Sequence, residues 1–212
     1  MNLGLNIAVD LSFKQQPTVH LAVFPATARL SCYFTLMMNK TVLFIVEYAN
    51  SKTMLIQQHV DKSNFFDRSW NEFRAGFGTP SGNFWLGNER IHQLTKYGEC
   101  RLRFDLQQDG TSVWYQTAYT TFIVADEQND YQLTVGGYIG DVYSGEMASH
   151  NGNRFVTHDR DLNNCAVNNG GGFWYNNCGN VNVNAAGDQF KWYYLQSGVT
   201  DLIYSRMWLE CP

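Results

Sequence analysis

Eleven of the 34 residues from Asn151 to Asn184 are asparagine, and five more are glycine. Such a stretch cannot form stable helices or strands of its own. Asparagine side chains compete for backbone hydrogen bonds, and glycine loses the most conformational freedom on ordering. A fold that includes it must hold it by turns and side-chain hydrogen bonds, laid against something already packed. Long irregular segments in compact domains usually carry function, so the functional residues are sought here.

The support comes from the preceding residues. "MLIQQHV" (54–60) reads as a strand, and "RSWNEFRAGFG" (68–78) as a short helix stopped by Gly76 and Gly78. In "NFWLGNERIHQLT" (83–95), Ile91 and Leu94 stand at helical spacing, which predicts a short helix packed on a sheet. "CRLRFDLQ" (100–107) alternates Leu102, Phe104 and Leu106 with Arg101, Arg103 and Asp105, the pattern of an antiparallel strand buried on one face. Two further strands, "SVWYQTAYTTFIVAD" and "YQLTVGGY", follow the "QQDG" turn, and the whole reads as α+β. Residues 1–53 show neither sustained alternation nor a helical stripe.

Charge narrows the function. Only 16% of residues are charged, the net charge is −4, and no Lys/Arg cluster exists, so a nucleic-acid surface is excluded. The apolar run Leu30 to Tyr48 is broken by Asn39 and Lys40 and falls short of a membrane span. The first 20 residues lack the basic and apolar regions of a secretory signal.

The five cysteines, Cys32, Cys100, Cys165, Cys178 and Cys211, form no CxxC pair, so disulfides are a better reading than zinc or redox chemistry. A bridge between Cys165 and Cys178 would order a loop with few apolar groups of its own, and it implies an oxidising compartment. Sequence leaves Cys32, Cys100 and Cys211 unassigned, with Cys100 to Cys211 as a guess.

In "THDRDLNNC" (157–165), Asp159 and Asp161 are candidate hard-oxygen ligands for Ca²⁺. A solvated acidic turn offset by Arg160 is the equal alternative. The spacing of these carboxylates does not suit a glycosidase pair, and no histidine lies in a nucleophile motif, so no enzyme is expected. His150 reads as a hydrogen-bonded turn residue. Phe173 and Trp174 are read as core, and Tyr175 as a pocket residue with its ring on an apolar floor and its hydroxyl in water.

Ordered landmarks carry a resemblance: "DRSWNEFRAGFG", "GNFWLGNERIHQLT", "LRFDLQQDG", "AYTTFIV", "YQLTVGGYIGD", "SHNGNRFVTHDRD", "NNCA", "GGFWYNNC" and "NVNVN". In this order, over about residues 54–184, they resemble the fibrinogen C-terminal domain shared by fibrinogens, ficolins and tachylectins. The resemblance implies a central antiparallel sheet with short helices, and a loop-rich lobe, about residues 141–190, that holds calcium beside a ligand pocket. It implies a domain over 54–212, with 1–53 a divergent segment that an altered gene model would explain. It also implies the Cys165–Cys178 disulfide, a cis peptide between Asn177 and Cys178, and ligand binding by Tyr175, Asn177, Cys178 and Gly179.

The function implied is a secreted, non-enzymatic recognition protein of the innate-immune lectin type that binds acetylated or other microbial glycans. The alternative is a protein-interaction module of the angiopoietin or fibrinogen kind, with a cell-surface protein as partner. Weak single-site affinity would call for a homo-oligomer. Between Asp161 and Cys165 the chain is shorter than the family pattern, which removes the second expected calcium aspartate. Gly179 stands where lectins of the family often carry a histidine or aromatic wall.

Overall fold

The structure is a computed structural model that describes residues 29–30, 45–48, 51–140, 145–193 and 198–212. In chain order its elements are β1 (Arg29–Leu30), β2 (Ile45–Tyr48), β3 (Ser51–His59), α1 (Trp70–Ala75), β4 (Phe77–Gly78), β5 (Phe84–Trp85), α2 (Asn88–Thr95), β6 (Arg101–Gln108), β7 (Trp114–Val124), β8 (Leu133–Gly140), α3 (Cys165–Asn169), β9 (Lys191–Tyr193) and β10 (Val199–Cys211). The main sheet runs β1-β2-β3-β10-β6-β7-β8 with antiparallel neighbours. The last strand of the chain therefore sits between β3 and β6, and the sheet is complete only when the C-terminus has returned. Cys100 and Cys211 are bridged, with 4.3 Å between their Cα atoms, which ties the end of β10 to the residue preceding β6.

The expected α+β architecture is present. Leu102, Phe104 and Leu106 are buried on one face of β6. In α1, Ser69 and Glu72 form a capping box, and the helix stops at Gly76, which has φ 88°. A Cβ there would lie 2.3 Å from the Leu86 carbonyl oxygen, so only glycine fits the turn. In β10 the register against β6 shifts between Leu202 and Tyr204, where two consecutive residues, Ile203 and Tyr204, are half-buried. This irregularity rephases the strand: Ser205, Met207 and Leu209 then point inward and Tyr204, Arg206 and Trp208 outward.

One aromatic cluster joins the sheet to the asparagine-rich segment. Phe155 lies 5.0 Å from both Phe73 and Trp174, and Trp85 lies 6.0 Å from Trp174, centroid to centroid. Trp174 and Phe173 are fully buried, as the sequence indicates. No helix among the described residues is long and apolar enough to cross a membrane. Cys32 and most of the divergent 1–53 segment lie outside the described residues.

Candidate functional site

The asparagine-rich lobe is held by its amides. Asn169 Nδ2 donates to the Cys165 carbonyl at 2.8 Å, and Asn182 Nδ2 donates to Asn169 Oδ1 at 3.0 Å. Asn184 Nδ2 donates to the Gly172 carbonyl at 2.9 Å, and its Oδ1 accepts from Gln57 Nε2 of β3 at 3.1 Å. All three asparagines are buried. The segment thus replaces missing sheet and helix bonds with side-chain ones, and Gln57 ties it to the main sheet.

On this scaffold the acidic turn closes locally. The Arg160 N–H donates to the Thr157 carbonyl at 2.8 Å, and Thr157 Oγ1 donates to Asp159 Oδ1 at 2.7 Å. Asp159 Oδ1 also accepts the Trp70 N–H at 2.9 Å, so this carboxylate caps the first turn of α1 from 89 residues away. Burial pushes the Asp159 carboxyl up, but the Thr157 hydroxyl and the Trp70 N–H outweigh it, and the net pKa is lowered. Asp161 accepts the Asn163 N–H at 2.9 Å on one oxygen and the Ala166 N–H at 2.6 Å on the other, which caps α3.

Both aspartates are thus occupied by donors of the chain. Among the described residues no group of three His, Cys, Asp or Glu side chains comes together to hold a metal. Calcium takes six to eight oxygens, typically with several carboxylates. Asp159 and Asp161 bring only two carboxylates, and both oxygens of Asp161 already accept N–H groups, so the pair by itself falls short of such a site.

Above the turn lies a groove of about 720 Å³. Asp159, Asp161 and Tyr175 line it, together with Asp130, Arg154, Phe155, His158, Arg160 and Leu162. Asp130 is shared by two guanidinium groups, Arg160 at 2.9 Å and Arg154 at 3.2 Å. Arg160 also lies over the Trp70 ring at 4.0 Å, so it pairs with Asp130 and an indole rather than offsetting Asp159 and Asp161 as the sequence suggests. His158 pairs with Asp67. Leu162 is fully exposed at the rim.

Two expectations need correction. Tyr175 is buried, and its hydroxyl donates to the Gly171 carbonyl at 2.7 Å, so the ring borders the groove but the hydroxyl is not in water. Burial also raises the pKa of that phenol. No peptide bond among the described residues is cis, the one between Asn177 and Cys178 included. These two residues instead take φ 48° and 61° in a tight turn whose Gly179 N–H donates to the Asn176 carbonyl at 3.1 Å, the pattern of a type I′ turn. The groove lining does not include Asn177, Cys178 and Gly179, which form a separate turn. Asn177 is exposed at the tip of its own turn, and a Cβ on Gly179 would meet nothing nearer than the Asn177 carbonyl oxygen at 3.9 Å.

Cys165 and Cys178 form the expected disulfide. His150 is buried, with Nδ1 2.7 Å from the Trp174 carbonyl oxygen. The named groove residues that sequence reading did not find are Asp130, Arg154, Phe155 and Leu162. Asp130 follows a strand, far from the asparagine-rich segment, and nothing local marks it.

Residues 30–210 match the family described as fibrinogen beta and gamma chains, C-terminal globular domain. Chicken tenascin is 37% identical over 134 residues, 61% of this chain and 7% of tenascin. Human angiopoietin-related protein 7 is 37% identical over 134 residues, 61% of this chain and 38% of that protein. Ryncolin-4 of Cerberus rynchops is 36% identical over 135 residues, 62% of this chain and 39% of ryncolin-4. The aligned part is thus well under half the length of each of these relatives. Among solved structures, the fibrinogen-like globe domain of human ANGPTL2 superposes with a TM-score of 0.72 at 27% identity, covering 85% of this chain and 92% of that one. Lamprey fibrin D-dimer, complexed with the peptide ligand Gly-His-Arg-Pro-amide, has a TM-score of 0.72 at 25% identity, covering 88% and 70%.

Proposed function

Because the chain belongs to the fibrinogen C-terminal domain family, we propose that it is an extracellular, non-enzymatic recognition module whose groove binds a peptide segment of a partner protein. The observation that carries this reading is the composition of the groove. Charges of both signs, Asp130, Asp161, Arg154 and Arg160, line the groove, and Leu162 stands fully exposed at its rim. A peptide brings carbonyls, amides, charges and an apolar side chain to such a surface together, whereas an acetyl group needs only one donor and one small apolar wall. The two disulfides support an oxidising, extracellular setting. No catalytic step is part of this reading, since His150 is buried against a carbonyl and His158 is paired with Asp67.

Calcium enters as a dispensable ion. A cation at Asp161 would compete with the N–H groups of Asn163 and Ala166, so its affinity would be no better than the millimolar range of weak extracellular sites. An acetylated glycan is the second reading, favoured by the exposed Asn177.

The test is selection of peptides from a displayed library on the immobilised, disulfide-intact protein, repeated with Leu162→Asp and in EDTA. Selected peptides should bind the parent in EDTA and lose at least tenfold in affinity to Leu162→Asp. Equal binding to both proteins would sink the groove reading. Retention on N-acetylglucosamine resin with elution by acetate, and no peptide enrichment, would transfer the function to the glycan.

A further inference from the structure

The outer face of the main sheet, opposite the aromatic core, carries a row of rings and guanidinium groups that the lobe does not use. Tyr204, Arg206 and Trp208 project from β10, Arg103 and Asp105 from β6, and Trp114 from β7. The Arg206 guanidinium carbon lies 4.8 Å from the Tyr204 ring centroid and 6.0 Å from that of Trp208. Arg206 Nε donates to Gln58 Oε1 at 2.8 Å and Nη2 donates to the Tyr204 hydroxyl at 2.6 Å. All of these partners are neutral, and Arg206 forms no ion pair among the described residues.

The nearby carboxylates are committed elsewhere. Asp105, directly across from Arg206, accepts from Gln116 Nε2 at 2.9 Å and Trp208 Nε1 at 2.7 Å, and pairs with Arg103 at 3.4 Å. Glu210 pairs with Arg101 and Arg103. Three arginines against two carboxylates leave an excess of one positive charge on this face of a chain whose net charge is −4. The guanidinium is held in place by ring faces and an amide, with donors still free for an anion.

Beside it, Trp114 is 48% exposed, with its ring 5.4 Å from that of Tyr204. It stands opposite Gln107, which stands opposite Tyr204, so Trp114 and Arg206 are two strands and two residues apart. That separation is about 12 Å between Cα atoms, a span suited to a short oligosaccharide. Between them lie the Gln107 and Gln116 amides, which match hydroxyl groups, and the Asp105 carboxylate, whose oxygens are taken up by Gln116, Trp208 and Arg103.

We propose that this face is a second binding site, for acidic saccharides, in which a sugar ring stacks on Trp114 and a neighbouring carboxylate is held by Arg206. It stands apart from the lobe groove and does not depend on what the groove binds.

Calorimetry with an oligogalacturonate tetramer and with neutral cellotetraose, on the full chain, tests it. The acidic tetramer should bind more tightly than the neutral one, and salt at about 0.5 M should remove most of the difference. Trp114→Ala should weaken binding about tenfold and Trp114→Tyr much less. Arg206→Gln should weaken the acidic tetramer about tenfold and abolish the preference over the neutral one. Unfolding midpoints of all variants guard against a folding effect. Unchanged affinity in Trp114→Ala and Arg206→Gln overturns the proposal. Equal binding of a glutamate tetrapeptide also overturns it, because the face would then serve an acidic protein segment.

Discussion

His59 and His150 are both fully buried, and burial lowers the pKa of each from 6.5 to about 4. His59 is stacked on Phe190 at 4.3 Å and meets Phe66 edge-on at 4.8 Å, while His150 is packed near Phe173. Neither ring has a second hydrogen-bond partner on Nε2. Between these two pH values the unfolded chain binds more protons than the folded one, so this contribution is whole above about pH 6.5 and is lost as the pH falls to about 4. Each histidine is worth about 3 kcal/mol across that window. Urea midpoints measured from neutral pH down to about pH 4 should therefore fall steeply, and His59→Gln and His150→Gln should each remove part of the slope. An unaltered slope in the double variant would refute the assignment to these rings. The sequence reading of His150 as a hydrogen-bonded turn residue fits its bond to Trp174. What it could not supply was the burial, because the ring meets Phe173 edge-on at 5.7 Å and the Trp174 backbone only in the folded chain. Asp159 is similar: its place at the edge of the lobe was legible, but its bond to the Trp70 N–H joins residues that only the tertiary fold brings together.

The short helices and strands differ in how much of them could be read locally. β6 and α1 were legible because alternation and a capped, glycine-stopped helix are local patterns. The path of the lobe was not, since its partners are distant amides. Gly171 illustrates the constraint: a Cβ there would lie 2.0 Å from the Asn184 carbonyl oxygen and 3.2 Å from Phe66 Cβ. Asn184 is anchored to Gly172 and to Gln57, so that carbonyl cannot retreat without breaking the tie between lobe and sheet. Gly171→Ala should cost about 3 kcal/mol and release amide-exchange protection across residues 169–184 before that of β6 and β10. Gly152→Ala is the control, because no atom lies within 4 Å of its Cβ position and only its φ of 80° resists the change. Gly171 has no positive φ, so a loss no larger than that of Gly152→Ala would show that Asn184 gives way to the added methyl and does not set the cost. The cis peptide expected at Asn177 and Cys178 belongs at this scale too. It was inferred from resemblance rather than from these residues, which make their turn with two positive φ angles instead.

At the scale of the whole molecule, two disulfides close loops of very different length. Cys165 and Cys178 are 13 residues apart and close within the lobe, whereas Cys100 and Cys211 are 111 apart and span most of the described sheet. In the chain-entropy account the short loop contributes about 3 kcal/mol and the long one nearly 5 kcal/mol, through restriction of the unfolded chain. Their consequences for function should run in the opposite order. Cys165→Ser with Cys178→Ser frees a turn held in left-handed conformation and loosens the α3 end that Asp161 caps, next to the groove. Cys100→Ser with Cys211→Ser unties β10 from the residue before β6, but leaves intact the amide bonds that hold the lobe. The long-loop variant should therefore lose more global stability by urea unfolding while keeping peptide affinity within about threefold. The short-loop variant should lose peptide binding at least tenfold with the smaller stability loss. If the two variants lost binding in proportion to their stability, the lobe would not be an independently adjustable part of this fold. The groove would then be only as firm as the sheet beneath it.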